Sequence, residues 1–405
     1  MAAEAVSDVN KSLACKGLVS LASNETHRCG SPRLWSFLFS GHLSRNNKQK
    51  NKEQNMTSRF IFFGAFMVFI ILMLAMDLGV FHKKDHVIKI KEAAIWTGIW
   101  VTLAMLFGLL LRFKAEWVHG ITCMDDLLQY IEGGTLASHI SAGMDYAAAL
   151  EVYRKEIFSQ YLAGYFLEET LSIDNIFVMI MIFVSFGIDK QYYHRILFWG
   201  ILGAIVMRFL FIFLLGAVIH KFSWVLAIFG VILIYSGIKM FRDKGDKRID
   251  TANHPVVKLA SRFLPVSRHT HGHDFFIKQD GRVYMTPLFL VLLVIEFSDV
   301  VFAVDSIPAV FSVTTDTYIV YFSNIFAIMG LRSLFFLLSN VTDMFWLLKY
   351  GLGVLLCFIG VKMIGHEFFG LEISTIASLM VILGILVGSI ALSLLFPKRA
   401  KQAVE

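Results

Sequence analysis

The chain has 405 residues, of which 57% are hydrophobic, 14% aromatic and 17% charged, with a formal charge of +6 and a mean hydropathy of +0.66. Soluble proteins average about 25% charged residues, so this composition excludes an ordinary soluble domain and describes a polytopic membrane protein. Cys15, Cys29, Cys123 and Cys357 have neither disulfide-framework nor zinc-finger spacing.

Residues 1–55 form a polar leader carrying Lys11, Lys16, Arg28, Arg33, Arg45, Lys48, Lys50 and Lys52. Its apolar stretch LWSFLF is too short for a signal peptide, and Met56, just before the first span, reads as an alternative start. Apolar runs of about 17 to 25 residues then predict an all-α protein with about nine spans, at 60–81, 94–111, 161–186, 196–219, 222–241, 286–311, 317–338, 345–365 and 373–396. Lys83, Lys84, Lys89 and Lys91 of the 82–93 loop, the 242–285 loop and the 397–405 tail collect positive charge. The positive-inside rule assigns them to the cytoplasm, giving an outside N-terminus and a cytoplasmic C-terminus. The basic leader opposes that orientation. The acidic 113–158 segment would face outward.

FFIKQDGRVYM (275–285) alternates around Asp280 and Gly281 and predicts a small cytoplasmic hairpin. His269, His271 and His273 in HTHGHD have the spacing of a transition-metal site, although a solvated loop is the plainer reading.

Two spans contain acids. FLEETLSIDNIFVMIMIF (166–183) and FLVLLVIEFSDVVFAVDSIPAVF (289–311) hold Glu168, Glu169, Asp174, Glu296, Asp299 and Asp305. A carboxylate at mid-membrane costs roughly 2.5–3.5 kcal/mol on lenient insertion scales, so a cation must offset the group. Glu296 and Asp299 share a helix face, Asp305 lies six residues beyond Asp299, and Glu168 and Asp174 repeat that separation. Pro308 should loosen its helix and free carbonyls. Ser172, Asn175, Ser298 and Ser306 add neutral oxygens. Oxygen-only ligands suit Mn²⁺, Mg²⁺ or Ca²⁺ rather than zinc or copper. The expected metal ligands are Glu168, Asp174, Glu296, Asp299 and Asp305, with Asp77 as a mouth residue. Arg208 and Arg332 are read as gates or counter-charges; Lys239 and Lys362, near span ends, either share in gating or snorkel to the interface, the plainer reading. The alternative is that these four bases simply pair the acids as buried salt bridges, or that they do so only while the site is empty.

The chain also repeats itself. LSIDNIF (171–177) aligns with FAVDSIP (302–308), superposing Asp174 on Asp305 and Glu168 on Asp299. GILGAIVMRFLFIFL (200–214) matches SNIFAIMGLRSLFFLL (323–338), and YSGIKMF (235–241) matches CFIGVKMI (357–364). Three correspondences in one order define a repeat. Its units, 161–241 and 286–365, contain three spans each, so the second copy enters the membrane inverted, as in many transporters.

At ETLSIDN (169–175) and IEFSDVVFAVDSIPAVF (295–311) the chain resembles the TerC family of integral membrane proteins, named for tellurium resistance. The resemblance covers roughly 60–396 and includes DLGVF and FLPVS; the 113–158 segment departs from the compact family pattern. It implies an inner-membrane protein related to manganese exporters, with the family's acids at Glu168, Asp174, Glu296, Asp299 and Asp305. A carboxylate site repels the tellurite oxyanion, so any resistance would be indirect.

The expectation is therefore a bacterial inner-membrane exporter of Mn²⁺, with Ca²⁺ or Mg²⁺ as other candidates, working by alternating access. Its partners would be a divalent cation and membrane lipid, with no nucleic acid and no resident cofactor. Walker, HExxH and nucleophile-elbow motifs are missing from the sequence, so the chain is read as a non-enzyme. A non-transporting scaffold for metal or tellurite stress is the alternative.

Overall fold

A computed structural model describes residues 59–76, 90–131, 140, 143–222, 224–242, 255–267, 272, 274–279, 282–339, 347–371 and 373–396. Asp77, the leader, the tail, the three loop histidines, Asp280 and Gly281 lie outside these residues. Among the described residues the fold is all-α apart from one two-stranded sheet. This follows from the solvent, since in lipid every backbone N–H and C=O must be satisfied within the segment, as a helix does.

Among the described residues eight helices are long and apolar enough to cross a membrane. They are α1 (Arg59–Met76), α2 (Ile90–Lys114), α6 (Lys190–Lys221), α7 (Val225–Arg242), α9 (Pro287–Phe311), α10 (Thr317–Leu338), α11 (Leu348–Phe369) and α12 (Thr375–Leu395). The span expected at 161–186 is instead the C-terminal part of a 40-residue helix, α5 (Tyr146–Ser185). This part carries Glu168, Glu169 and Asp174, as many acids as α9 carries in Glu296, Asp299 and Asp305.

Much of the 113–158 segment, expected as a loop, is helical. Short helices α3 (Glu116–His119) and α4 (Met124–Ile131) precede α5. Good helix formers in YAAALEVYRKEIF carry α5 outward past its apolar part. The Asp145 side chain caps it by accepting from Ala147 N at 3.1 Å, and Arg154 holds Glu116 through two bonds of 2.8 and 2.5 Å.

α10 is the central helix, buried along 94% of its apolar window, with α2, α5 and α6 packed around it. Phe62, Phe63 and Phe66 of α1 lay an aromatic seam on it, the Phe66 and Phe322 rings standing 4.5 Å apart.

The inverted repeat is visible in reciprocal contacts. α7 and α11 cross so closely that Gly230 faces the Gly360 carbonyl while Gly237 faces that of Gly353. Gly230 and Gly237 are the repeat mates of Gly353 and Gly360, so each glycine meets the mate of its neighbour, as a two-fold axis requires. The pairing order makes the two helices antiparallel, which places the repeats in opposite orientations.

Between the repeats lie α8 (Pro255–Phe263) and the expected hairpin, β1 (Phe276–Gln279) and β2 (Arg282–Met285), with Gln279 paired to Arg282. Pro308 does not break its span. α9 runs through to Phe311, because Pro308 falls in the last turn and only the Val304 carbonyl loses its i+4 partner.

Candidate cation site

The five carboxylates expected to converge are distributed over separate places, because Arg208 draws two of them to itself. Arg208 on α6 is 1% exposed. Its Nη2 reaches Asp299 Oδ1 at 3.1 Å, its Nε reaches Asp299 Oδ2 at 3.5 Å, and its Nη1 donates to Glu168 Oε1 and, at 3.2 Å, to Asn324 Oδ1. Glu168 comes from α5, Asp299 from α9 and Asn324 from α10, so one guanidinium ties four helices together. The salt-bridge alternative is realised here for two of the acids. Two carboxylates against one cation still leave a net negative charge at the centre.

The second group joins Asp174 and Asp305, the repeat mates. They lie within electrostatic range of each other, with Lys349 near Asp174 and Lys239 near Asp305. Ser236 of α7 donates to both Asp305 oxygens at 3.3 Å. Glu296 lies within electrostatic range of Asp299 and packs against Gly203, where any Cβ would collide with its carboxylate. It lines a groove of about 580 Å³ with Trp199, Val206, Met207 and Leu292. Among the described residues no group of three or more His, Cys, Asp or Glu side chains is arranged to hold a metal.

The same helices carry buried polar atoms without protein partners, among them Glu168 Oε2, Ser172 Oγ and Asn175 Nδ2 on one face of α5, Ser306 Oγ on α9 and Asn324 Nδ2 on α10. A buried group left unsatisfied costs about 1–3 kcal/mol, so such atoms call for a partner that the protein itself does not supply. Ser298 is different, since its hydroxyl donates to Val294 O of its own helix at 2.8 Å. Arg332 is buried in α10. Lys239 is exposed. Lys362 donates to Ser378 Oγ at 2.9 Å and feels Glu156, away from the acids on α9.

Sequence reasoning passed over Asn324, Ser236, Lys349 and Gly203. The first two fall inside or beside repeat motifs, SNIF and YSGIKMF, and that position was their available signal. Gly203 also falls inside a repeat motif, GILGAIVMRFLFIFL, whereas Lys349 gave no signal, because only packing sets its neighbours.

It also passed over a second buried polar centre, outside the spans. His119 of α3 is 2% exposed. Its Nε2 lies 2.7 Å from Asp316 Oδ2 and its Nδ1 2.5 Å from the Tyr153 hydroxyl. Tyr130 OH donates to Asp316 at 2.5 Å, and Arg59 Nε donates to the His119 carbonyl at 2.7 Å. Burial raises the Tyr130 phenol well above its ordinary value, and the Asp316 carboxylate adds to that. Burial also pushes the Asp316 carboxyl up, but the His119 ring and hydrogen bonds from His119, Tyr130 and the Ile319 N–H outweigh it and hold it at about 2. An Asp lowered from about 3.9 in the unfolded chain contributes stability that is present above that value and lost as pH falls toward 2. Asp316→Asn should therefore lower stability by about 2 kcal/mol at neutral pH and flatten the decline below pH 4, read by thermal unfolding across pH 3–7.

The sequence profile described as Integral membrane protein TerC family matches residues 153–402. An uncharacterised membrane protein of Myxococcus xanthus, STKORF319, is 40% identical over 338 residues, covering 83% of this chain and 92% of that protein. Alx of Escherichia coli (strain K12), whose name describes it as a candidate membrane-bound redox modulator, is 38% identical over 328 residues, covering 81% and 92%. Alx of Photorhabdus laumondii is 38% identical over 314 residues, covering 77% and 88%. No solved structure matches the chain. The acid-bearing repeats, the reciprocal helix contacts and these matches lead to one assignment: the chain belongs to the TerC family of integral membrane proteins.

Proposed function

We propose that the protein exports a divalent cation, Mn²⁺ ahead of Ca²⁺ and Mg²⁺, across a bacterial inner membrane by alternating access of its two inverted repeats. The observation that carries this reading is that buried oxygens without protein partners, Glu168 Oε2, Ser172 Oγ and Ser306 Oγ, lie on the two acidic helices. Hard oxygen donors in a net negative surrounding favour a hard cation. Asp174 and Asp305, on repeat-related helices, supply charge for binding at the midplane. Arg208 holds Glu168 and Asp299 while no cation occupies the site, and rocking of one repeat against the other changes which carboxylates the cation meets.

The test is Mn²⁺ uptake into proteoliposomes under an imposed pH gradient, with Ca²⁺ and Mg²⁺ as competitors. Asp174→Asn and Asp305→Asn should each reduce flux by about tenfold or more while the protein still inserts, because even an indirect partner of a ligand is worth 10–100-fold. A scaffold would tolerate both substitutions and fail on deletion within 242–285. Absence of flux from folded protein under every gradient would refute transport. The redox role in the name of the Alx relatives finds no cysteine pair among the described residues, where Cys123 and Cys357 are both free.

A further inference from the structure

We propose that α8 is an interfacial anchor that binds the headgroups of anionic phospholipids in the bilayer holding the protein. α8 has the sequence PVVKLASRF and contains no acid. Val256 and Val257 pack toward the core, and the helix contacts α9. Leu259 and Phe263, one turn apart, are 57% and 78% exposed. Lys258 and Arg262, also one turn apart, are exposed on the adjoining face. In water such an arrangement would leave a bare apolar ridge beside two like charges.

The height of α8 relative to the spans identifies what covers the ridge. Two residues past Phe263, Pro265 O accepts from Met285 N at 2.9 Å, and Ser267 N donates to Met285 O at 2.8 Å. Met285 stands two residues before α9 begins at Pro287. The end of α8 is thus fastened to the backbone at the mouth of a span. The hairpin is fastened there too, with the Phe276 ring 4.4 Å from Phe289 in the first turn of α9 and Phe276 itself 45% exposed. Leu259, Phe263 and Phe276 therefore emerge where hydrocarbon gives way to headgroups. There apolar side chains insert and Lys or Arg stems run back to phosphate. Two basic residues at i and i+4, with no acid on the helix, favour a lipid of net negative charge.

The experiment uses the full chain in liposomes, with Cys15, Cys29, Cys123 and Cys357 replaced and a bimane attached at Phe263→Cys or, separately, at Lys258→Cys. Lipids brominated on the acyl chain serve as quenchers, in phosphatidylglycerol or phosphatidylcholine form. Strong quenching at 263, clearly above that at 258, is expected, with the brominated phosphatidylglycerol the better quencher. Lys258→Gln with Arg262→Gln should then reduce that lipid preference by about fivefold for each charge removed. Equal, weak quenching at 263 and 258 in correctly inserted protein would overturn insertion. Equal quenching by the two lipids before the charges are removed would overturn recognition of the anionic headgroup.

Discussion

Arg208→Met loses about 3–5 kcal/mol of folding stability, the cost of leaving buried charge without its partner. Three features set the size of the effect. The guanidinium is the shared partner of Glu168 and Asp299, all three residues are almost fully buried, and the site joins α5, α6, α9 and α10. Removing the cation leaves two like charges in a medium that cannot solvate them. Arg208→Lys keeps the charge but loses the fork that serves both acids at once, so an intermediate loss is expected. Combining Arg208→Met with Glu168→Gln and Asp299→Asn should recover most of the stability, because a neutral trio has no desolvation penalty to offset. Thermal unfolding in detergent ranks the four proteins. If the triple variant were as unstable as Arg208→Met, Arg208 would be acting by shape rather than by charge.

Gly237→Ala and Gly360→Ala should each destabilise the protein by about 1–3 kcal/mol, the range for overpacking a tight interior. Helix propensity alone predicts the opposite, since replacing a mid-helix glycine with alanine ordinarily gains roughly 0.5–1 kcal/mol. The sign therefore decides. A Cβ on Gly237 would lie 2.7 Å from Gly353 O, and one on Gly360 would lie 2.5 Å from Gly230 O. Backbone carbonyls cannot swing aside as a flexible side chain can, so α7 and α11 must separate. Gly384→Ala and Gly388→Ala in α12 meet nothing within 4 Å and should be neutral or stabilising. The two interface substitutions should cost less together than their sum, because both push the same pair of helices apart. A stabilising result at Gly237 or Gly360 would reject the close crossing on which the reciprocal contact rests.

The spans, the intramembrane acids and the inverted repeat were legible in the sequence, because lipid imposes length and hydropathy locally and a repeat is a property of order along the chain. The hairpin was legible too, since alternation and turn residues are local signals. Sequence did not reveal that α5 would extend over 40 residues, because its outer turns are ordinary helix formers whose continuation depends on ties such as that of Arg154 to Glu116. Nor did it show that Arg208 would gather Glu168 and Asp299 while Glu296 packed against Gly203, or that His119 would meet Asp316 across nearly 200 residues. Composition and periodicity specify which helices form and which residues are polar within them. Which polar groups meet is set by how the helices rotate and cross, and that follows from close packing of glycines and the pairing of buried charges.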